Sequence, residues 1–176
     1  DAAIAIADSK GLEQLTLGAV AKQLGVKPPS LYNHVSSLDA LHRHMRLRAL
    51  TLTASALQKA TMGKSGEDAL FALAHNFRAF AKKNPGLHAT TLRHVEDEDK
   101  EIKTAGYEIL EIFLAVFSGF GLEGDDALHA TRALRAAVGG FVELELRGGL
   151  GINLDTDESF TRLLRLLSDG FKSQTG

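Results

Sequence analysis

Two prolines placed just after a glycine break fix the local fold of residues 15–35 more tightly than any other stretch of the chain. Thr16 is a good N-cap residue, because its hydroxyl can accept a bond from a first-turn N–H that has no helical partner. Leu17, Val20, Ala21 and Leu24 follow at helical spacing and make one apolar face. Gly25 stands where a helix end calls for a left-handed conformation, and Val26 is expected to fill the angle behind it. Pro28 and Pro29 are excluded from a helix interior but suit a first turn, so a second helix starts near residues 27–29. Leu31 and Val35 lie four apart and face inward. Ser30, Tyr32, Asn33 and His34 are left facing outward, and residues 16–35 read as a helix-turn-helix.

Hydroxyls, an amide and an imidazole are groups that bond phosphates and base edges. A short helix, a tight turn and a second polar-faced helix match the geometry that lays a recognition helix in the major groove. On that reading Thr16, Lys22, Lys27, Ser30, Tyr32 and His34 grip phosphates. Pro29 and Asn33 sit nearest the bases, with Ser30 shared between the two tasks. The plain alternative is a helical hairpin with a solvated polar face, which gives no reason for the glycine, the prolines and the polar set to occur together.

The same residues carry a family resemblance. Residues 24–35, Leu-Gly-Val-Lys-Pro-Pro-Ser-Leu-Tyr-Asn-His-Val, resemble the N-terminal domain of the tetracycline-repressor-like family of bacterial transcription regulators. Ala2-Ala3-Ile4-Ala5-Ile6-Ala7 and Lys10-Gly11 before them resemble the family's first helix, and Leu38-Asp39-Ala40-Leu41 after them the start of its fourth. The resemblance implies a one-component regulator that dimerises through its last two helices. Leu38 stands where many members carry a phosphate-touching lysine, so that contact drops out of the expected set.

At 176 residues the chain has room for one large or two small domains, and 44% apolar residues are enough for a sizeable core. It has no cysteine, which excludes disulfides, thiolate metal sites and a cysteine nucleophile. No apolar run reaches membrane-spanning length and no signal peptide is visible, so a cytoplasmic location is expected. The chain begins inside an apolar helical pattern, and upstream residues, a basic arm among them, are expected. The net charge of −2 is divided unevenly: residues 1–60 hold seven Lys/Arg against four Asp/Glu, and residues 61–176 hold 13 against 18. The basic part is the part with the helix-turn-helix.

Leu and Ala dominate, all three prolines fall at helix starts, and no segment alternates long enough to demand a strand. The reading is all-α with about nine helices. A three-helix DNA-binding domain covers residues 1–47, and an effector-binding and dimerisation domain covers residues 48–176. The first helix covers residues 1–9, ended by Gly11. The fourth follows the Ser36-Ser37 capping signal, runs to about residue 59, and carries Leu41, Met45, Leu52 and Leu57 on its apolar face. The next helices are expected at about 66–83, 86–94, 96–121 and 125–147, and the last, capped by Asp155 to Ser159, runs to about residue 171.

Helical domains rich in Phe and Leu can hold apolar ligands between helices. Phe77, Phe80, His88, Arg93, Tyr107, Phe113 and Phe117 are the candidate lining of an effector pocket, with an ordinary core as the alternative. The last two helices mix small and large apolar residues. Leu128, Val138, Gly139 and Val142 on one, and Phe160, Leu163, Leu164, Leu167 and Phe171 on the other, are candidates for a four-helix dimer interface. Phe141-Val142-Glu143-Leu144-Glu145 with Gly148-Gly149-Leu150-Gly151 also resembles one C-terminal subgroup of the family.

Other constellations carry less. Glu96-Asp97-Glu98-Asp99 beside His94 is better explained by a helix start than by a metal. His42 and His44 point to different sides of a helix, and His75 and His88 are isolated. Gly63-Lys64-Ser65 lacks the earlier glycine and strand of a phosphate loop. No nucleophile–base arrangement or Gly-x-Ser-x-Gly stands out, so no enzyme, metal or cofactor is expected. The sequence therefore reads as a ligand-released repressor that binds a palindromic operator as a homodimer. A helical small-molecule carrier or sensor with a non-functional DNA-binding head is the second reading.

Overall fold

The computed structural model describes residues 1–92 and 99–174, and helix is the only regular structure among them. In order these are α1 (Ala2–Lys10), a 3₁₀ turn (Leu12–Gln14), α2 (Leu17–Leu24), α3 (Pro28–Tyr32), α4 (Leu38–Thr61), α5 (Gly66–Lys83), α6 (Pro85–Thr91), α7 (Lys100–Ser118), α8 (Gly124–Leu146) and α9 (Thr156–Lys172). The expected start of the seventh helix at residue 96 lies outside the described residues. That helix ends earlier than residue 121 because the chain tightens at Gly119. A Cβ there would lie 2.3 Å from the Gly66 nitrogen, so only glycine fits. Helix starts follow their caps. Ser37 Oγ accepts the Ala40 N–H at 3.0 Å, and Asp155 accepts the N–H groups of Asp157 and Glu158.

The chain packs as two units. Asp1–Leu52 and Lys83–Gly106 form the first, whose core holds Ala3, Ile6, Ala7, Leu15, Val20, Ala21, Leu31, Met45, Ala49 and Leu87. Residues 83–106, beyond the sequence boundary at 47/48, pack in this unit because α6 lies directly on α1. Gly86 makes this crossing possible, since a Cβ there would sit 2.5 Å from the Ala7 Cβ and 2.7 Å from the Asp8 nitrogen. Its N–H donates to Asp8 Oδ1 at 2.8 Å. Arg43 of α4 donates from Nε and Nη2 to Asp99 and from Nη2 to Glu101. Asp99 also caps α7 through the Glu101 and Ile102 N–H groups. The Arg43 hydrogen bond, more than the cap, holds the Asp99 carboxyl below its ordinary range.

α4 contributes to two separate cores. Met45 and Ala49 belong to the first core, and Leu57 belongs to the second. Leu52, expected on the apolar face, is consequently exposed, and the smaller Ala54 and Thr53 are buried.

Thr53–Lys82 and Tyr107–Gly176 form the second unit. Its core is built from Leu57, Leu70, Leu73, Phe113, Phe117, Phe120, Leu134, Val138, Val142, Phe160, Leu164 and Phe171, among others. Phe117 meets Phe171 edge-on at 4.9 Å between centroids. An ionic cluster centred on the buried Arg78 joins three helices. Arg78 of α5 donates to both oxygens of Glu145 on α8, from Nε at 2.7 Å and Nη2 at 2.6 Å. Its Nη1 pairs with Asp157 of α9 at 2.7 Å. Lys82 Nζ adds a second cation on Glu145 at 2.7 Å. The guanidinium lies over the Phe160 ring, 4.8 Å from its centroid. Hydrogen bonding from Arg78, opposed by burial, pushes the Glu145 carboxyl down to about 2.

Two outcomes follow from these contacts. Gly86→Ala forces α6 off the α1 backbone and should lower unfolding free energy by about 1–3 kcal/mol. Gly106→Ala, whose Cβ meets open space in α7, should leave it unchanged or raise it by about 0.5–1 kcal/mol. Urea denaturation of both variants checks the pair. Glu145 titrates lower in the folded chain than unfolded, so its stabilisation is complete above its ordinary value of 4.5 and disappears as pH falls towards about 2. Denaturant midpoints between pH 6 and pH 2 should fall less steeply for Glu145→Gln than for the natural chain, from a lower starting value at pH 6.

Candidate nucleic-acid interface

The turn between α2 and α3 is closed by backbone hydrogen bonds. Gly25 takes φ 69°, its N–H donates to the Lys22 carbonyl, and the Val26 N–H reaches the Ala21 carbonyl at 3.0 Å. This double bond pattern ends α2 and turns the chain into α3. Thr16 caps α2 by accepting the Ala19 N–H at 3.1 Å. Its hydroxyl hydrogen stays available to a phosphate while its oxygen serves the helix. Lys27 precedes α3 on extended backbone (φ −75°, ψ 142°), with Pro28 and Pro29 as the first helical residues.

Leu31 is buried, and it orients α3. At about 100° per residue, Pro29 and Asn33 lie about 160° from Leu31 on either side, so the two share the pole that faces away from the core. Asn33 keeps helical dihedrals (φ −68°, ψ −18°), which extends this relation past the last helical residue. Ser30 and Tyr32 flank the pole on opposite sides. All eight expected contacts, Thr16, Lys22, Lys27, Pro29, Ser30, Tyr32, Asn33 and His34, are exposed, with Tyr32 at 55%. Between Glu13 and Asp39 the chain has no carboxylate at all.

Two apolar expectations in this segment are corrected. Leu24 and Val26 are 53% and 42% exposed and fill no inter-helix angle. The turn is held by the two backbone bonds, which carry these side chains outward. Val35 is half-buried. Leu38 packs against the first unit's core with Leu41, so the residue in place of the family's lysine serves the fold.

The expected effector residues fall in both units. Phe113 and Phe117 are buried in the second unit's core, and Phe77 packs against it. Phe80 is half-buried and Tyr107 exposed. His88 is buried on α6 in the first unit, and Arg93 lies outside the described residues. Of the α7 aromatics, Phe113 and Phe117 are consumed by core packing. The His75 ring lies edge-on to Phe160 at 5.3 Å, and its pKa is lowered by desolvation first and then by the Arg78 charge.

The expected dimer residues divide in two. Val138, Val142, Phe160, Leu164 and Phe171 are buried within the second unit itself, because they lie on the faces of α8 and α9 turned to α5 and α7. Leu128 is exposed, and Gly139, Leu163 and Leu167 are half-buried. The outward faces carry Ala136 and Gly140, which the sequence pattern also marks as small residues of α8, together with residues it missed: Ala133 and Leu144 on α8, and Leu166, 72% exposed, with Gly170 on α9. A Cβ at Gly139, Gly140 or Gly170 would meet nothing within 4 Å. Their alternation with buried residues at 3.6 spacing is the signal that separates the two faces. The buried Arg78–Glu145 pair was also missed, since charged residues 67 apart carry no local mark of pairing.

Comparison with known proteins agrees with this architecture. Residues 1–45 match the family model for bacterial regulatory proteins of the tetR family. Residues 70–167 match the tetracyclin repressor-like C-terminal domain. The chain is 35% identical over 176 residues to the uncharacterized HTH-type transcriptional regulator Rv0681 of Mycobacterium tuberculosis, covering 99% of this chain and 80% of the relative. It is 34% identical over 170 residues to the uncharacterized HTH-type transcriptional regulator YobS of Bacillus subtilis, covering 97% and 88%. Among solved structures, a TetR variant from Acinetobacter baumannii in complex with minocycline superposes with a TM-score of 0.73 at 21% identity, covering 99% of this chain and 94% of that one.

Proposed function

Since the chain belongs to the tetR family of bacterial transcriptional regulators, we propose that it is a homodimeric repressor that leaves its operator when a small molecule binds. The observation that carries the DNA reading is the carboxylate-free segment between Glu13 and Asp39, on which all eight expected contacts are exposed. Thr16, Lys22, Lys27, Ser30, Tyr32 and His34 hold phosphates, and Pro29 and Asn33 face the bases. Two copies place two α3 helices about one DNA turn, ~34 Å, apart on a palindromic site.

Dimerisation through α8 and α9 is supported by their outward faces. Gly140 weakens the middle of α8 by about 0.5–1 kcal/mol relative to alanine, yet no neighbour within the protomer requires a glycine. Close approach of a second α8 supplies the reason. Leu144 and Leu166 then move from water into the contact. Effector binding is assigned to the second unit, and the minocycline complex of a similar fold supports a small-molecule effector. A ligand there acts on the DNA-binding head through α4, which is continuous from Leu38 to Thr61. It releases DNA only to the extent that it binds the DNA-free form more tightly.

Fluorescence anisotropy with the DNA flanking its own gene, over a salt series, tests this function. Tight binding of two protomers per site, preferred over random duplex, is expected. The slope of log K against log salt should be about −0.9 per phosphate held, and Lys22→Ala should reduce its magnitude by about 2 for a dimer. Equal binding to random duplex refutes the regulator reading. For assembly, Gly140→Leu should convert the dimer to a folded monomer with unchanged helical circular dichroism, as read by light scattering. A Gly140→Leu dimer refutes the α8 contact.

A further inference from the structure

We propose that the pole of α3 reads thymine through Pro29 and adenine through Asn33, so that each operator half-site is specified there by A·T pairs and not by guanine. The inference rests on α3 being the helix that enters the major groove, and it adds which bases that helix selects. Pro29 and Asn33 are the two residues that stand opposite the buried Leu31, both exposed. Their chemistries differ sharply. Proline offers only methylene groups outward and has no N–H. The feature of a major-groove edge that such a surface complements is the thymine C5-methyl group. Asn33 carries a carboxamide with no hydrogen bond to another described residue. Its amide matches the adenine N7 acceptor and N6 donor as a bidentate pair.

Guanine is read most often by arginine or lysine donating to O6 and N7. Between Pro28 and His34 there is no arginine or lysine. Lys27 stands before the first helical turn on extended backbone, off the pole, where it serves the phosphates. Pro28 lies about 60° from Leu31 and is turned away from the pole. Four residues of helix separate Pro29 from Asn33 by about 6 Å along the axis. That spans roughly two base-pair steps of ~3.4 Å, so the thymine and the adenine lie within about two base pairs of each other.

The test leaves the chain unaltered and changes single atoms of the DNA. Duplexes of the footprinted operator carry uracil for thymine, 7-deazaadenine for adenine or 7-deazaguanine for guanine, one position at a time in both half-sites. Uracil, which lacks the C5-methyl group, should weaken binding at one or two neighbouring positions. 7-Deazaadenine, which lacks N7, should weaken it roughly 5- to 100-fold within two base pairs of them. 7-Deazaguanine should be tolerated throughout. Asn33→Ala should bind the natural and the 7-deazaadenine duplexes alike, and Pro29→Ala the thymine and uracil duplexes alike. Tolerance of uracil and 7-deazaadenine everywhere, with the operator still preferred over random duplex, overturns the base assignment and leaves the regulator standing. A 7-deazaguanine loss that Asn33→Ala removes overturns it equally. Absence of any preference over random duplex removes both readings together.

Discussion

Arg78 is buried on α5, with Glu145 of α8 and Asp157 of α9 on its nitrogens and the Phe160 ring beneath it. Removing the Arg78 and Glu145 charges from water costs several kcal/mol per ion, and close pairing offsets that only when the geometry is complete. The buried pair is satisfied only when α5 and α8 are in register, because Arg78 uses two nitrogens on the two oxygens of Glu145, and the exposed Asp157 of α9 adds a third contact at the surface. An apolar core of leucines and phenylalanines tolerates sliding far better than this. Glu145 stands at the end of α8 and Asp157 in the first turn of α9, so the arrangement also fixes the loop between them. The outward faces of both helices, with Gly140, Leu144 and Leu166, are thereby presented together.

The first unit is organised by close approach instead of charge. α6 can lie on α1 only because Gly86 has no side chain, and Leu87, the next residue, then enters the core beside Ile6 and Leu15. Leu31 anchors α3 to the same core. Burial of this one leucine sets the rotation of a helix only five residues long, and with it which side chains meet a duplex. Such a helix has too few internal hydrogen bonds to persist alone. Two prolines fix φ at its start and the paired turn bonds at Gly25 fix its approach, so its orientation comes from neighbours and backbone constraint.

Local signals were legible in the sequence, and long-range partition was not. Thr16, Gly25, Ser37 and Asp155 act within a few residues of themselves, and each caps or turns where its chemistry demands. The all-helical fold and the exposed face of α3 follow from such residues and from 3.6 periodicity. Leu52 was misread because α4 contributes to two separate cores, which a single helical stripe does not reveal. Val138 and Phe160 were misplaced because composition marks a residue as apolar without saying which neighbour covers it. Phe117 looked like a ligand contact for the same reason. Gly86 and Arg78 depend on partners 79 residues (Ala7) and 67 residues (Glu145) away, and no pattern around either announces them.

The distribution of charge bears on how such a chain finds its site. A net charge of −2 gives little long-range attraction for DNA, so the attraction must come from a small area. The stretch between Glu13 and Asp39 supplies it, with Lys22 and Lys27 and no carboxylate to oppose them. Of the six proposed phosphate contacts only Lys22 and Lys27 carry a full charge, which limits the sequence-independent part of the binding. Specific affinity then has to come from base edges, where each correct contact contributes about 1–3 kcal/mol of discrimination. A chain with more lysines on this face would bind DNA more tightly but discriminate less, because phosphate contacts are the same at every site. The sparse charge of α2 and α3 thus puts the weight of the proposed sequence choice on the two residues at the pole of α3.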